Sequence, residues 1–197
     1  MRRALVCKGW GGPDASVAAL FPEGAVDVVS PGKGWHDVVE ASKASVLIGY
    51  STGAFLLLQN EDLWERFEEV VLFAPFEDFK AEAGKGGRVK EAQMKYLLRW
   101  LQKDPLAALG DFYARAGLDR KTPTELPYAL EDLVWGIERL LSDSVKGDAL
   151  GRARAFVGAE DALLDATEIR RMYPNVEVIE GATHELRGLL EGSGWSL

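Results

Sequence analysis

The sequence has little cysteine and no long apolar run. Its 197 residues contain one cysteine, Cys7, so neither an internal disulfide nor a cluster of thiolate metal ligands can form within the chain. No apolar stretch approaches the roughly 20 residues of a membrane span, and the one near the start is too short for the core of a signal peptide. We therefore expect a cytoplasmic protein with Cys7 packed as a core thiol.

Negative charge outnumbers positive charge. The chain has 23 Lys and Arg against 31 Asp and Glu, a net charge of −8, which argues against nucleic acid as a partner because phosphate binding needs a basic surface. Residues 80–121 are the exception, with ten Lys or Arg against five Asp or Glu. A 47% hydrophobic and 27% charged composition over this length predicts one globular domain.

Short valine-rich apolar runs alternate with helical patterns along most of the chain. The runs predict buried strands at residues 3–8, 25–30, 45–49, 70–74, 153–158 and 176–180, and helices are predicted at 15–21, 37–43, 52–60 and 164–173. Alternation of this kind predicts an α/β fold in which about six mostly parallel strands carry helices on both faces.

One interval breaks the alternation. Between Phe76 and Gly151 we find only helical patterns, at residues 86–103, 106–116 and 128–141. They predict a helical insertion at 80–150, a lid, within a core formed by 1–79 and 151–197. In the first of these segments Arg88, Lys95 and Arg99 fall opposite the apolar face, which predicts a basic surface on the lid.

A serine between two glycines follows the third predicted strand. The pattern G-x-S-x-G, here "GYSTG" at residues 49–53, places Ser51 on a strand-turn-helix, the context of a nucleophile elbow. Gly49 and Gly53 relieve crowding at the bend, and the amide of Thr52 at the helix start is a candidate oxyanion donor. The alternative is an ordinary turn serine.

A serine nucleophile needs a base and an acid that orients the base. Of the two histidines, His36 precedes the serine, whereas His184 follows the last predicted strand, so only His184 fits the order serine, acid, histidine. The acid is expected after the strand at 153–158, where Asp161 is the candidate and Glu160 and Asp165 are its competitors.

A glycine-rich loop, "CKGWGG" at residues 7–12, follows the first predicted strand. Its glycines allow a ligand close to the backbone, so the amide of Trp10 is a second candidate oxyanion donor and its indole a candidate wall of the acyl pocket. The loop lacks the G-K-[ST] ending of a phosphate-binding loop, which argues against a nucleotide.

The order Ser51, Asp161, His184, with a helical insertion before the acid, resembles the α/β-hydrolase superfamily over essentially the whole chain. Within it the sequence is most similar to the pimeloyl-[acyl-carrier protein] methyl ester esterases of biotin synthesis. The matching stretches are "GWGG", "GYSTG", "WLQKDPLAALGDFYARAG", "LEDLVWGIERLLSDSV", "FVGAEDALL" and "GATHEL". Lys8 stands where many relatives have histidine, and Glu185-Leu186 where they commonly have a small residue and proline.

The resemblance implies hydrolysis of an acyl ester through an acyl-serine, with no metal or organic cofactor. It also implies a carrier-bound substrate. The basic lid face with Arg88, Lys95 and Arg99 suits an acidic acyl-carrier protein, and the alternative is that these cations only solvate an amphipathic helix. A broad-specificity small-ester carboxylesterase and an acyl thioesterase share the same catalytic residues and stay open. So does a non-catalytic binding module on the same fold.

Overall fold

A six-stranded parallel sheet forms the centre of the molecule, which the computed structural model describes for residues 2–197. The strands of the chain are β1 (Ala4–Cys7), β2 (Val26–Val29), β3 (Val46–Tyr50), β4 (Glu69–Phe73), β5 (Asp78–Lys80), β6 (Gly86–Val89), β7 (Arg154–Gly158) and β8 (Glu177–Ile179). The central sheet has the order β2-β1-β3-β4-β7-β8 and every neighbouring pair is parallel. The predicted α/β fold with about six parallel strands is therefore confirmed.

Burial on both faces explains the apolar strand sequences. All residues of β1 and β3 are buried, as the sequences ALVC and VLIGY predict for strands covered by helices on each side. Between β4 and β7 the rings of Phe73 and Phe156 stack with centroids 5.4 Å apart, which adds a specific contact to the burial of the sheet.

Nine α-helices are found in residues 2–197. They are α1 (Asp14–Ala18), α2 (Trp35–Ala41), α3 (Thr52–Leu58), α4 (Glu91–Leu101), α5 (Pro105–Arg115), α6 (Leu130–Ser142), α7 (Ala149–Arg152), α8 (Ala166–Met172) and α9 (Leu186–Ser193). The short α7 and the C-terminal α9 were not predicted. None of the helices in this part of the chain has the length and apolarity needed to cross a bilayer.

The strand order creates a crevice at the ends of β1 and β3. The chain runs from β1 to β2 on one side of the sheet and then returns to β3 on the other side of β1. Cys7, the last residue of β1, is in register with Gly49 of β3. The loops that leave these two strands therefore lie next to each other, at the position where open α/β sheets bind ligands.

The prediction of an insertion without strands is wrong at its start. Residues predicted to begin a helix at 86 instead form β6, which pairs with β5, and α4 begins only at Glu91. Gly86 has a positive φ of 95°, which a helix does not allow. The backbone of this strand also binds the loop after β7, because Arg88 N donates to Leu163 O at 2.8 Å and Asp165 N donates to Gly86 O at 2.8 Å.

Candidate active site

Ser51 has a strained backbone at the end of β3. Its φ of 54° and ψ of −118° lie in a region that residues with a side chain rarely adopt. The bend is possible because a Cβ on Gly49 would lie 2.8 Å from the Cα of Ala54, and a Cβ on Gly53 would overlap the carbonyl of Cys7. The two glycines let the strand, the turn and α3 approach closely, and the serine hydroxyl is left facing the crevice.

A continuous hydrogen-bonded chain joins Ser51, His184 and Asp161. His184 Nε2 lies 2.8 Å from Ser51 Oγ, and its Nδ1 lies 2.7 Å from Asp161 Oδ2. All three side chains are buried, His184 being 3% exposed and Asp161 1% exposed. The structure thus brings together the three residues predicted as nucleophile, base and acid, although their catalytic roles stay predictions.

Each partner of the serine is fixed by further contacts. Asp161 Oδ1 accepts from the amides of Leu163 at 2.8 Å and Leu164 at 3.0 Å, which leaves Oδ2 for the imidazole. The hydroxyl of Tyr50 donates to the carbonyl of His184 at 2.9 Å. These bonds orient the imidazole toward the serine without using the atoms that link the three side chains.

The competing residues have other positions. His36 lies in the first turn of α2 with its ring against Trp35, and it does not line the crevice. Glu160 is exposed. Asp165 caps α8, because its side chain accepts from the Glu168 amide at 3.0 Å.

The two predicted oxyanion donors border the same space as the serine. Trp10 and Thr52 line one pocket together with Ser51 and His184. Within residues 2–197 we find no protein acceptor for the amide hydrogen of either Trp10 or Thr52. An oxyanion hole requires two free backbone donors beside the serine hydroxyl, so the amides of Trp10 and Thr52 stay the predicted donors.

The loop at residues 9–12, here called the oxyanion loop, is held by side chains of the insertion. Gly11 N donates to the hydroxyl of Tyr128 at 2.9 Å, and the hydroxyl of Tyr113 donates to Gly11 O. The Trp10 indole donates to Leu133 O at 2.8 Å. The insertion therefore fixes the backbone that carries the Trp10 amide, as well as covering the pocket.

Lys8 supports the oxyanion loop from beneath. Its side chain is completely buried, where Nζ donates to Gly12 O, lies 3.3 Å from Asp14 Oδ1 and sits 4.2 Å from the centre of the Tyr128 ring. Burial lowers the pKa of Lys8 to about 8, and the nearby Asp14 carboxylate opposes that shift. Lys8 is thus a structural cation of this loop.

The pocket above the serine has a volume of about 370 Å³ and is predominantly apolar. Its walls come from the sheet side and from the insertion, and they include Phe79, Met94, Leu97, Phe112, Ile137 and Leu140. This size and lining suit a small or medium-sized organic substrate. No metal ligand cluster of three or more residues occurs at the pocket in the described part of the chain.

Arg88, Lys95 and Arg99 do not lie on one helix. Arg88 lies on β6, where its guanidinium donates to Asp161 O at 3.1 Å and faces the pocket, so its placement on the basic helix face was wrong. Lys95 and Arg99 are exposed on α4, one turn apart, and Lys95 is paired with Glu91. Because residues 86–89 pair with β5, Arg88 is not part of the helix that carries the other two.

Comparisons with known proteins give matches in three dimensions only. No family model matches the chain, and no curated protein matches it. An esterase from Exiguobacterium antarcticum has a TM-score of 0.69 at 12% identity over 94% of this chain and 86% of that one. The N-formylmaleamic acid deformylase Nfo from Pseudomonas putida S16 has a TM-score of 0.63 at 15% identity over 98% and 91%.

A third neighbour, BioG from Haemophilus influenzae, has a TM-score of 0.60 at 14% identity over 94% of this chain and 90% of that one. The chain has the α/β-hydrolase fold.

Several contacts at the site of this α/β-hydrolase fold could not be predicted from the sequence. The helical patterns predicted only that Tyr113 and Tyr128 contribute apolar surface, yet their hydroxyls form hydrogen bonds to the oxyanion loop. Arg120 lies in a stretch without regular structure and lines the pocket. Of the residues that hold the oxyanion loop, only Lys8 was conspicuous in the sequence, because it departs from the pattern of similar proteins.

Proposed function

We propose that this protein is a serine carboxylesterase that hydrolyses an acyl ester through an acyl-serine. One observation carries the proposal: the hydrogen-bonded chain of Ser51, His184 and Asp161, with distances of 2.8 and 2.7 Å, in which the serine has a strained backbone. A serine that only shapes a turn needs neither a buried imidazole nor a buried carboxylate behind it. The esterases among the structural neighbours also support it.

The reaction follows from the positions of these atoms. His184 Nε2 takes the proton as Ser51 Oγ attacks the carbonyl carbon, and Asp161 stabilises the imidazolium that forms. The amides of Trp10 and Thr52 bind the oxygen of the tetrahedral intermediate, and each such donor typically contributes about 3 to 4 kcal/mol to its stabilisation. Collapse returns the proton to the leaving alcohol, after which His184 activates water against the acyl-serine.

A fluorophosphonate probe tests the proposal directly. We expect covalent labelling of Ser51 in the wild type and none in Ser51→Ala, together with turnover of short p-nitrophenyl esters by the wild type alone. Ser142→Ala, which removes an exposed hydroxyl bonded to the Glu138 carbonyl, is the matched control and retains labelling. Absence of labelling in a folded wild-type protein would refute the enzyme and leave a binding module on the same fold.

For the substrate we propose pimeloyl-[acyl-carrier protein] methyl ester as the specific candidate, in the cytoplasm and in biotin synthesis. The resemblance of the inserted segment supports it, and BioG is among the structural neighbours. Lys95 and Arg99 are the exposed cations of the predicted basic helix face, whereas Arg88 lines the pocket from β6 and is not on that helix.

Charge reversal on α4 tests this candidate. Lys95→Glu with Arg99→Glu is expected to raise KM for the carrier-bound ester on the order of tenfold and to leave a free methyl ester unaffected. Arg170→Glu, an exposed change of the same sign on α8, is the control. Equal effects on carrier-bound and free esters would favour a broad-specificity carboxylesterase, and faster cleavage of thioesters than of methyl esters would favour a thioesterase.

A further inference from the structure

The lining of the pocket contains more cationic than anionic side chains, although the protein as a whole is acidic. Four cationic side chains and one carboxylate line the pocket, whereas the chain as a whole has a net charge of −8. These residues are Lys8, Arg88, Arg115, Arg120 and Asp111. A concentration of positive charge in a largely apolar cleft attracts an anionic ligand, since the low dielectric walls strengthen its field.

Three of the four cations are already paired within the protein. Each has a carboxylate oxygen within 3.6 Å, as follows: Arg115 with Asp111 at 2.6 Å, Lys8 with Asp14 at 3.3 Å and Arg88 with Asp165 at 3.6 Å. Arg88 also donates to the Asp161 carbonyl. These pairs stabilise parts of the protein itself: the surface of α5, the oxyanion loop and the loop that carries Asp161.

Arg120 is different. Its side chain is only 19% exposed, and among residues 2–197 its nearest carboxylate is Glu185, at 4.0 Å, the limit of an ion pair. The other oxygen of Glu185 accepts from the Asp119 amide at 3.0 Å, so this carboxylate is partly used elsewhere. A guanidinium this buried normally has carboxylate partners at hydrogen-bond distance, because desolvation of its charge is costly.

The surroundings of Arg120 are built to keep the guanidinium beside the oxyanion loop. Its Cζ lies 5.6 Å from the centre of the Tyr113 ring, and Nη1 occupies space that a side chain on Gly12 would fill. The positive charge also opposes the rise that burial causes in the pKa of Tyr113. The planar fork is thus oriented by an aromatic face and borders the space next to Ser51.

We propose that Arg120 binds a carboxylate of the substrate, so that the preferred substrates are esters that also carry a free acid group. A single guanidinium whose own carboxylate partner is distant can bind the two oxygens of one substrate carboxylate with two N–H groups. A phosphate dianion carries more charge and needs more than one such cation. The inference rests on the proposed ester hydrolysis. It is an alternative to the carrier-bound candidate, because the pimeloyl group of that candidate is joined to the carrier at one end and methylated at the other and so has no free carboxylate for Arg120.

Matched substrates test the inference. Monomethyl esters of straight-chain diacids from succinic to suberic acid are compared with the corresponding methyl ester amides, in which –CONH₂ replaces –COO⁻ at nearly equal size. We expect the wild type to have the higher kcat/KM for the acid at its best chain length. Arg120→Gln lowers the acid-to-amide ratio of kcat/KM by roughly 10- to 100-fold, the range for loss of a charged hydrogen-bonded pair. Lys121→Gln, the neighbouring exposed cation, retains the ratio.

A conservative variant and a binding measurement separate the inference from simple misfolding and from the proposed function. Arg120→Lys keeps the charge without the fork and is expected to give an intermediate ratio. Calorimetry of adipate binding to Ser51→Ala, and to Ser51→Ala with Arg120→Gln, measures the carboxylate site without turnover. We expect binding only in the former.

The possible failures are distinguishable. Cleavage of acid and amide esters with equal kcat/KM, or an equal loss for both in Arg120→Gln, overturns the carboxylate site and leaves the esterase intact. Adipate binding through Arg120 in a protein that cleaves no ester and takes no fluorophosphonate supports the site and refutes the esterase.

Discussion

Replacement of Lys8 by methionine is expected to remove a contribution to stability from this side chain that increases between pH 7 and pH 9.5. The ammonium is completely buried, and burial lowers its pKa from 10.5 to about 8. Below pH 8 the folded and unfolded chains both hold this proton, so folding bears the full cost of burying the charge. Between pH 8 and 10.5 the unfolded chain holds more protons than the folded one, and the free energy of unfolding therefore increases with pH.

The size of the rise follows from the two pKa values. A shift from 10.5 to about 8 corresponds in total to about 3 kcal/mol, at about 1.4 kcal/mol per pKa unit. Between pH 7 and pH 9.5 the folded lysine loses its proton while the unfolded lysine mostly keeps it, which accounts for about 2 kcal/mol of this total. The rest is gained above pH 9.5. Methionine has a similar unbranched length and no charge, so it fills the same space without titrating.

Urea unfolding at pH 7, 8, 9 and 9.5 measures the effect as the difference between wild type and Lys8→Met. Other groups, such as buried Cys7 with its raised pKa, lower stability as the unfolded chain ionises, but they do so in both proteins and cancel in the difference. Lys103→Met, an exposed substitution of the same kind, should follow the wild type. A pH dependence that is the same in wild type and Lys8→Met would refute a buried, charged lysine beneath the oxyanion loop.

Two further substitutions probe the site. Asp161→Asn is expected to lower kcat by roughly 10³- to 10⁴-fold with the fold retained, because an amide at Oδ2 cannot stabilise the imidazolium of His184; near-normal turnover of p-nitrophenyl acetate would contradict the assignment. Tyr128→Phe leaves the Gly11 amide without its acceptor and should lower kcat roughly tenfold with little change in KM. Tyr173→Phe loses a comparable hydroxyl contact far from the loop and serves as its control, so equal losses of kcat in both would refute the oxyanion-loop role.

Much of the sheet and the order of the candidate residues followed from local sequence. Buried parallel strands need continuous apolar residues, and the serine elbow needs Gly49 and Gly53 at fixed offsets from Ser51, so both features are written in short stretches. His184 was distinguishable from His36 because chain order alone decides which histidine follows the last strand.

Only the tertiary structure decided the contacts between distant segments. Residues 86–89 form a strand because β5 and the loop after Asp161 provide backbone partners, and this pairing turns Arg88 into the pocket. The tyrosine hydroxyls on the oxyanion loop and the loosely paired Arg120 are likewise invisible in helical periodicity. Periodicity reports which face of an element is apolar, whereas the partner of a hydroxyl or guanidinium depends on residues about a hundred positions away in the chain.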